Sequence, residues 1–98
     1  MVKRLKASQK KHDKTVRKVA GGYKGQGWKV YADVSGYPKP RTIYKKRPDV
    51  IARKGKETRI VEVETPSSYK KDIQQRNAFK RYASHDRRRK FRTKIARR

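Results

Sequence analysis

The chain has 98 residues, of which 32 are Lys or Arg and eight are Asp or Glu, a formal net charge of 32 − 8 = +24. With no cysteine, disulfides and thiolate-ligated zinc are excluded, and no apolar run approaches the length of a membrane span. Length and a 32% hydrophobic content support one modest core, while so cationic a surface calls for a polyanionic partner such as a phosphate backbone.

Residues 1–11 carry five Lys or Arg and no acid, which predicts a basic N-terminal arm ahead of a single domain spanning 12–98. This N-terminus has charge but no apolar stretch of the secretory kind, so a cytoplasmic location is expected. From Asp13, read as an N-cap, Val16, Val19, Ala20 and Tyr23 recur at the spacing of one helix face. That helix should stop or weaken at Gly21-Gly22 and end by Gly25 to Gly27. Trp28 to Val34 alternates, with Trp28, Val30, Ala32 and Val34 on one side, as a half-buried strand does. Ser35 to Arg41 contains two prolines and reads as an exposed loop.

A second strand is expected over Asp49–Ala52, a turn at Lys54-Gly55-Lys56, and a third strand over Arg59–Thr65. Pro66-Ser67-Ser68 stops that strand and offers a serine cap for a helix from about Tyr69 to Ala83, with Ile73, Phe79, Tyr82 and Ala83 on its apolar face. After a basic loop, Phe91 to Ala96 alternates as a fourth strand. The fold class is therefore α/β, a small mixed four-stranded sheet in α-β-β-β-α-β order with helices packed on it.

Three of the eight acids, Asp49, Glu62 and Glu64, fall within the second and third strands. Alternation puts Ile60, Glu62 and Glu64 on one face and Val61 and Val63 on the other, with Asp49 beside them on the neighbouring strand. Carboxylates so placed supply the oxygen ligands that a hard cation such as Mg²⁺ prefers. Their plainer role is ion pairing with Arg47, Arg53, Arg59 or Arg76. His12 and His85 have no second metal ligand nearby and read as solvated or phosphate-facing.

Pro48-Asp49, then Glu62-Val63-Glu64, inside this order of elements, resembles the restriction-endonuclease-like fold with its PD-(D/E)-x-K nuclease motif. The resemblance covers roughly residues 12–97. It implies that Asp49 and Glu62 are metal ligands and that Glu64 stands where the family usually has lysine, as a base or a further ligand. Asp13 is the one available acid for the first helix, and Gln75 followed by Phe79 is similar to the Gln…Tyr pair of some family exonucleases, without the hydroxyl.

Two functions follow. The first is a non-enzymatic nucleic-acid-binding protein, an rRNA-binding component of the ribosome beside neighbouring proteins of the particle, needing no cofactor. Its contacts would come from Lys3, Arg4, Lys6, Lys10 and Lys11, from Lys39, Arg41, Lys45 and Lys46, and from Arg87, Arg88, Arg89, Lys90, Arg92, Arg97 and Arg98, with Tyr37 and Tyr44 stacking on bases. RNA is favoured over DNA, and a membrane partner is not expected. The second is a Mg²⁺-dependent endonuclease or junction resolvase acting on DNA through Asp49, Glu62 and Glu64.

Overall fold

The computed structural model describes residues 6–96, apart from the side chains of residues 6–8 and of Ser67. Its elements are α1 (Lys6–Gly25), β1 (Lys29–Ala32), β2 (Val50–Lys54), β3 (Glu57–Glu64), the single turn α2 (Pro66–Tyr69), α3 (Ile73–Ser84) and β4 (Arg89–Ile95). The four strands form one mixed sheet in the order β1-β2-β3-β4. The first three make an antiparallel meander, with Val50 opposite Val61, and β4 returns parallel to β3, with Glu62 opposite Thr93.

Alternation along the strands separates two cores. On one face Val30, Ala32, Val50, Ala52, Val61 and Val63 pack with Val16 and Ala20 of α1. On the other, Ile51 and Ile60 pack with Ile43 and with Phe79 of α3. Helices on both faces explain why Ile60 to Glu64 are all buried, where a half-covered sheet would leave every second residue wet. β4, at the edge, keeps the half-exposed alternation.

The starts of the helices differ from expectation. Asp13 is not an N-cap, because α1 begins at Lys6. Lys6 to Lys11 contain no breaker and are mostly good helix formers, so those residues of the expected arm continue the helix rather than precede it. The expected helix over 69–83 is split, with α2 ahead of α3. Its cap is Thr65 rather than a serine: the Thr65 hydroxyl accepts from the Ser68 amide (3.1 Å) and the Ser68 hydroxyl accepts from the Thr65 amide (2.9 Å). Asp72 then occupies the N-cap position of α3, without a side-chain cap hydrogen bond.

The other end of α1 does follow the glycines. Gly27, at φ 87°, turns the chain so that the Trp28 amide donates back to the Tyr23 carbonyl (3.1 Å). Gly21 and Gly22 lie inside the helix on its exposed side, with open space where a Cβ would sit. Gly21→Ala and Gly22→Ala should therefore each stabilise the protein by about 0.5–1 kcal/mol, read as a higher urea midpoint at unchanged m-value.

Candidate carboxylate site and basic surface

Asp49 stands at the entry to β2, opposite Glu62, where backbone and side-chain pairing interlock. Its amide donates to Glu62 Oε1 (3.1 Å), and its own Oδ2 accepts from the Val63 amide (2.8 Å). α1 reaches the same carboxylate: His12 Nε2 is 3.3 Å from Asp49 Oδ2, while His12 Nδ1 is 3.1 Å from Asp13 Oδ1. Asp13 also accepts the Gln9 amide (2.8 Å). From α3, Gln75 Nε2 donates to Glu62 Oε2. Asp49 and Glu62 are thus held by helices from both faces of the sheet.

Glu64 is held separately. Ser68 donates its hydroxyl to Glu64 Oε2 (2.6 Å), and Arg76 Nη1 lies 4.0 Å from Glu64 Oε1. Neither Glu64 Oε1 nor Arg76 Nη1 has a hydrogen-bond partner among the described residues. Arg76 is itself buried and stacks over Tyr69, 4.0 Å from the ring centroid.

Both glutamates are almost wholly buried, Glu62 at 2% and Glu64 at 0% exposure. Burial, then the Asp49 charge and its side-chain hydrogen bond, then the Glu64 charge, push the Glu62 carboxyl up to about 10. Burial also raises Glu64 to about 7, against the Ser68 hydrogen bond and with help from Asp72 and Asp49. The Asp49–Glu62 pair therefore needs a shared proton or a cation at neutral pH. Two hard carboxylates in contact suit a Mg²⁺ ion, which commonly takes one or two protein carboxylates and fills its remaining positions with water and substrate phosphate. Among the described residues no group of three or more His, Cys, Asp or Glu side chains is placed to hold a metal ion.

His12 corrects an expectation, since it is buried at 3% exposure rather than solvated. Its spacing carries the signal: His12, Val16 and Ala20 follow at four-residue steps, so the buried stripe of α1 includes it. Ser68 reads in the sequence as part of a strand stop and a serine cap, and nothing in the local pattern couples it to Glu64. His85 is exposed, as expected.

The cationic residues divide. Lys10, Lys11, Lys39, Arg41, Lys45, Arg87, Arg88, Lys90 and Arg92 are exposed, and Lys46 and Arg89 half-buried. Lys3, Arg4, Arg97 and Arg98, with the side chain of Lys6, lie outside the described residues. Arg88 is paired with Asp86 (3.0 Å), which holds the Asp86 carboxyl down at about 2 by hydrogen bonding. Tyr37 packs half-buried against the α1-side core, with Lys24 Nζ 5.8 Å from its ring centroid. It is poorly placed for base stacking, whereas Tyr44 is 49% exposed. Trp28 packs on the same core as Tyr37. No helix among the described residues is long and apolar enough to cross a membrane. Compared with family models, curated proteins and solved structures, the chain matches none.

The raised Glu62 value fixes the sign of a pH effect. Between the ordinary value of 4.5 and about 10, the folded state keeps a proton that the unfolded state releases. Its stabilising contribution is complete below about pH 4.5 and is lost as pH rises through about 10. Glu62→Gln should remove that dependence, so the difference in urea midpoint, variant minus wild type, should grow steadily from pH about 5 to about 9. Glu64 adds a smaller loss in wild type and variant alike between 4.5 and about 7.

Proposed function

We propose that this is a nucleic-acid-binding protein that cleaves phosphodiester bonds with a divalent cation held at Asp49 and Glu62. The observation that carries the reading is the pair itself: a buried Glu62 carboxyl beside the half-buried Asp49 carboxylate, with Gln75 aimed at one and His12 beside the other. As a purely structural device it is a poor choice. Each buried ion carries a penalty of several kcal/mol, and well-packed apolar side chains of similar volume do as well or better. Perturbed carboxyls of this kind concentrate at functional sites.

The mixed sheet, with Asp49 and Glu62 on adjacent strands and helices on both faces, supports the restriction-endonuclease-like assignment. A bound Mg²⁺ would neutralise the pair and polarise a phosphate oxygen. The chain's own residues have distinct tasks. The Val63 amide and His12 orient Asp49, the Asp49 amide and Gln75 orient Glu62, and Glu64 replaces the usual lysine. With its carboxyl near 7 and Oε1 taking no hydrogen bond, Glu64 is suited to accept a proton at neutral pH. The dispersed Lys and Arg hold phosphates without reading bases.

With Mg²⁺ or Mn²⁺ the protein should nick single-stranded, duplex or branched DNA, or RNA. Asp49→Asn and Glu62→Gln should lower the rate by about 100-fold or more while leaving nucleic-acid affinity nearly unchanged. Either ion should also raise the wild-type Tm and not that of Asp49→Asn. If about ten phosphates are neutralised, binding should weaken with a log-log salt slope near −9.

The spread of +24 charge over helices, loops and edge strand favours a second reading, a non-catalytic rRNA-binding component of the ribosome. Cosedimentation with ribosomes at moderate salt, together with no metal-dependent cleavage and no metal-dependent Tm, would select it over the first.

A further inference from the structure

The turn before β2 is built against the preferences of its own residues. The Ile43 amide donates to the Lys46 carbonyl (2.7 Å), and the Lys46 amide donates to the Ile43 carbonyl (3.0 Å). Between them Tyr44 and Lys45 adopt φ values of 50° and 67°. Positive φ at both central positions defines a turn normally filled by Asn-Gly or Gly-Gly. Residues bearing large side chains are strained there, and such strain persists where surrounding structure enforces it, commonly at ligand sites.

The enforcing contact is Ile43, 3% exposed in the core with Ile51, Ile60 and Phe79. It fixes the turn so that the Tyr44 ring stands half in solvent. Tyr82 supports that ring edge-on, with centroids 6.4 Å apart and planes at 84°. Tyr82 is in turn covered by Arg89, 4.0 Å from its centroid, and its hydroxyl accepts from Arg41 (2.8 Å). Arg81 lies 5.9 Å from the Tyr44 centroid. The result is an exposed ring propped edge-on by Tyr82, with the Arg81 guanidinium beside it and the Lys45 ammonium next in the chain.

We propose that Tyr44, with Lys45, Arg41 and Arg81, is a stacking site for an unpaired base of single-stranded nucleic acid, the cations taking the adjacent phosphates. The proposal rests on the nucleic-acid reading above and narrows its ligand to strands with unpaired bases. A duplex offers phosphates to the cations but no base face to the ring, whereas a single strand offers both. Position agrees: Tyr82 follows Gln75 by seven residues on α3, about 10 Å along one helix face. The platform's support and the residue that touches Glu62 thus share that face.

The test uses the full chain and a short single strand, as DNA and as RNA, carrying a fluorescent adenine analogue, alone and annealed to its complement. Wild type should quench the single strands on binding and leave the duplexes unquenched. Tyr44→Asn should abolish the quenching and weaken single-strand binding about tenfold at fixed salt, with duplex affinity and salt slope unchanged. Asparagine tolerates positive φ, so this variant removes the ring without straining the turn, and a Tm no lower than that of wild type verifies the fold. Tyr44→Trp should retain quenching. Quenching that persists in Tyr44→Asn, or unchanged single-strand affinity, overturns the stacking site while nucleic-acid binding stands. Absence of salt-dependent binding to every strand overturns both.

Discussion

The contact between Asp49 and Glu62 is the constraint on which the surrounding structure depends. Carboxylates side by side and out of water repel and lack hydration, and in so cationic a chain the long-range field would favour their ionisation. The Glu62 carboxyl nevertheless rises to about 10, so local desolvation and the adjacent negative charge outweigh the distant cations. Separation decides this: most Lys and Arg lie in solvent, where salt and water screen them beyond about 10 Å, whereas Asp49 is in direct contact. The pair is then stitched into the fold from outside the sheet, by His12 from one helix layer and Gln75 from the other. Altering the pair therefore touches the registration of both helices.

The second organising problem is how a chain with 32 cations and eight acids packs at all. Among the described residues ion pairing accounts for few of the cations, and aromatic rings hold several, paired ones among them. Arg76 stacks over Tyr69 and Arg89 over Tyr82, each at 4.0 Å, and Arg59 lies 5.2 Å from the Trp28 centroid. Planar, weakly hydrated guanidinium groups can lie on rings without losing all their water, which compact ammonium groups do less well. Arginine is thereby part of the packing here, and a surface read only as phosphate-seeking also holds the molecule together. Arg76 shows the limit of that arrangement, buried on a ring with its Nη1 4.0 Å from Glu64 Oε1 and making no hydrogen bond among the described residues.

Strand alternation made the sheet legible: Trp28, Val30, Ala32, Val61 and Val63 face one helix layer and Ile60 the other, as their spacing requires. Helix ends were less so, because the signals conflict. Asp13 has the chemistry of a cap, but the residues before it are good helix formers, and it instead receives Gln9 and His12 from within the helix. Lys70-Lys71-Asp72 contains neither Gly nor Pro, so the break between α2 and α3 leaves no local mark. The Asp49–Glu62 pairing was readable because alternation and neighbouring strands suffice to place it. The Ser68–Glu64 bond was not, since it arises only once the chain turns sharply after β3. Tyr37 and Tyr44 were indistinguishable as aromatic residues in basic loops; a core neighbour separates one and a strained turn the other.

α3 ties these themes together. Gln75, Phe79 and Tyr82 occupy one face of it, and of the three only Phe79 is fully buried, on Ile51 and Ile60. The same ring therefore sets the height of the helix over the sheet for the residue that meets Glu62 and for the one that supports Tyr44. Because Arg76 is the other buried residue of α3 and faces Glu64, the helix has one apolar anchor and one charged one. The charged anchor depends on Glu64, whose proton is held only to about 7. Packing of Phe79 on the sheet thus fixes where α3 lies, and the Arg76–Glu64 contact ties its first turns to the carboxylates.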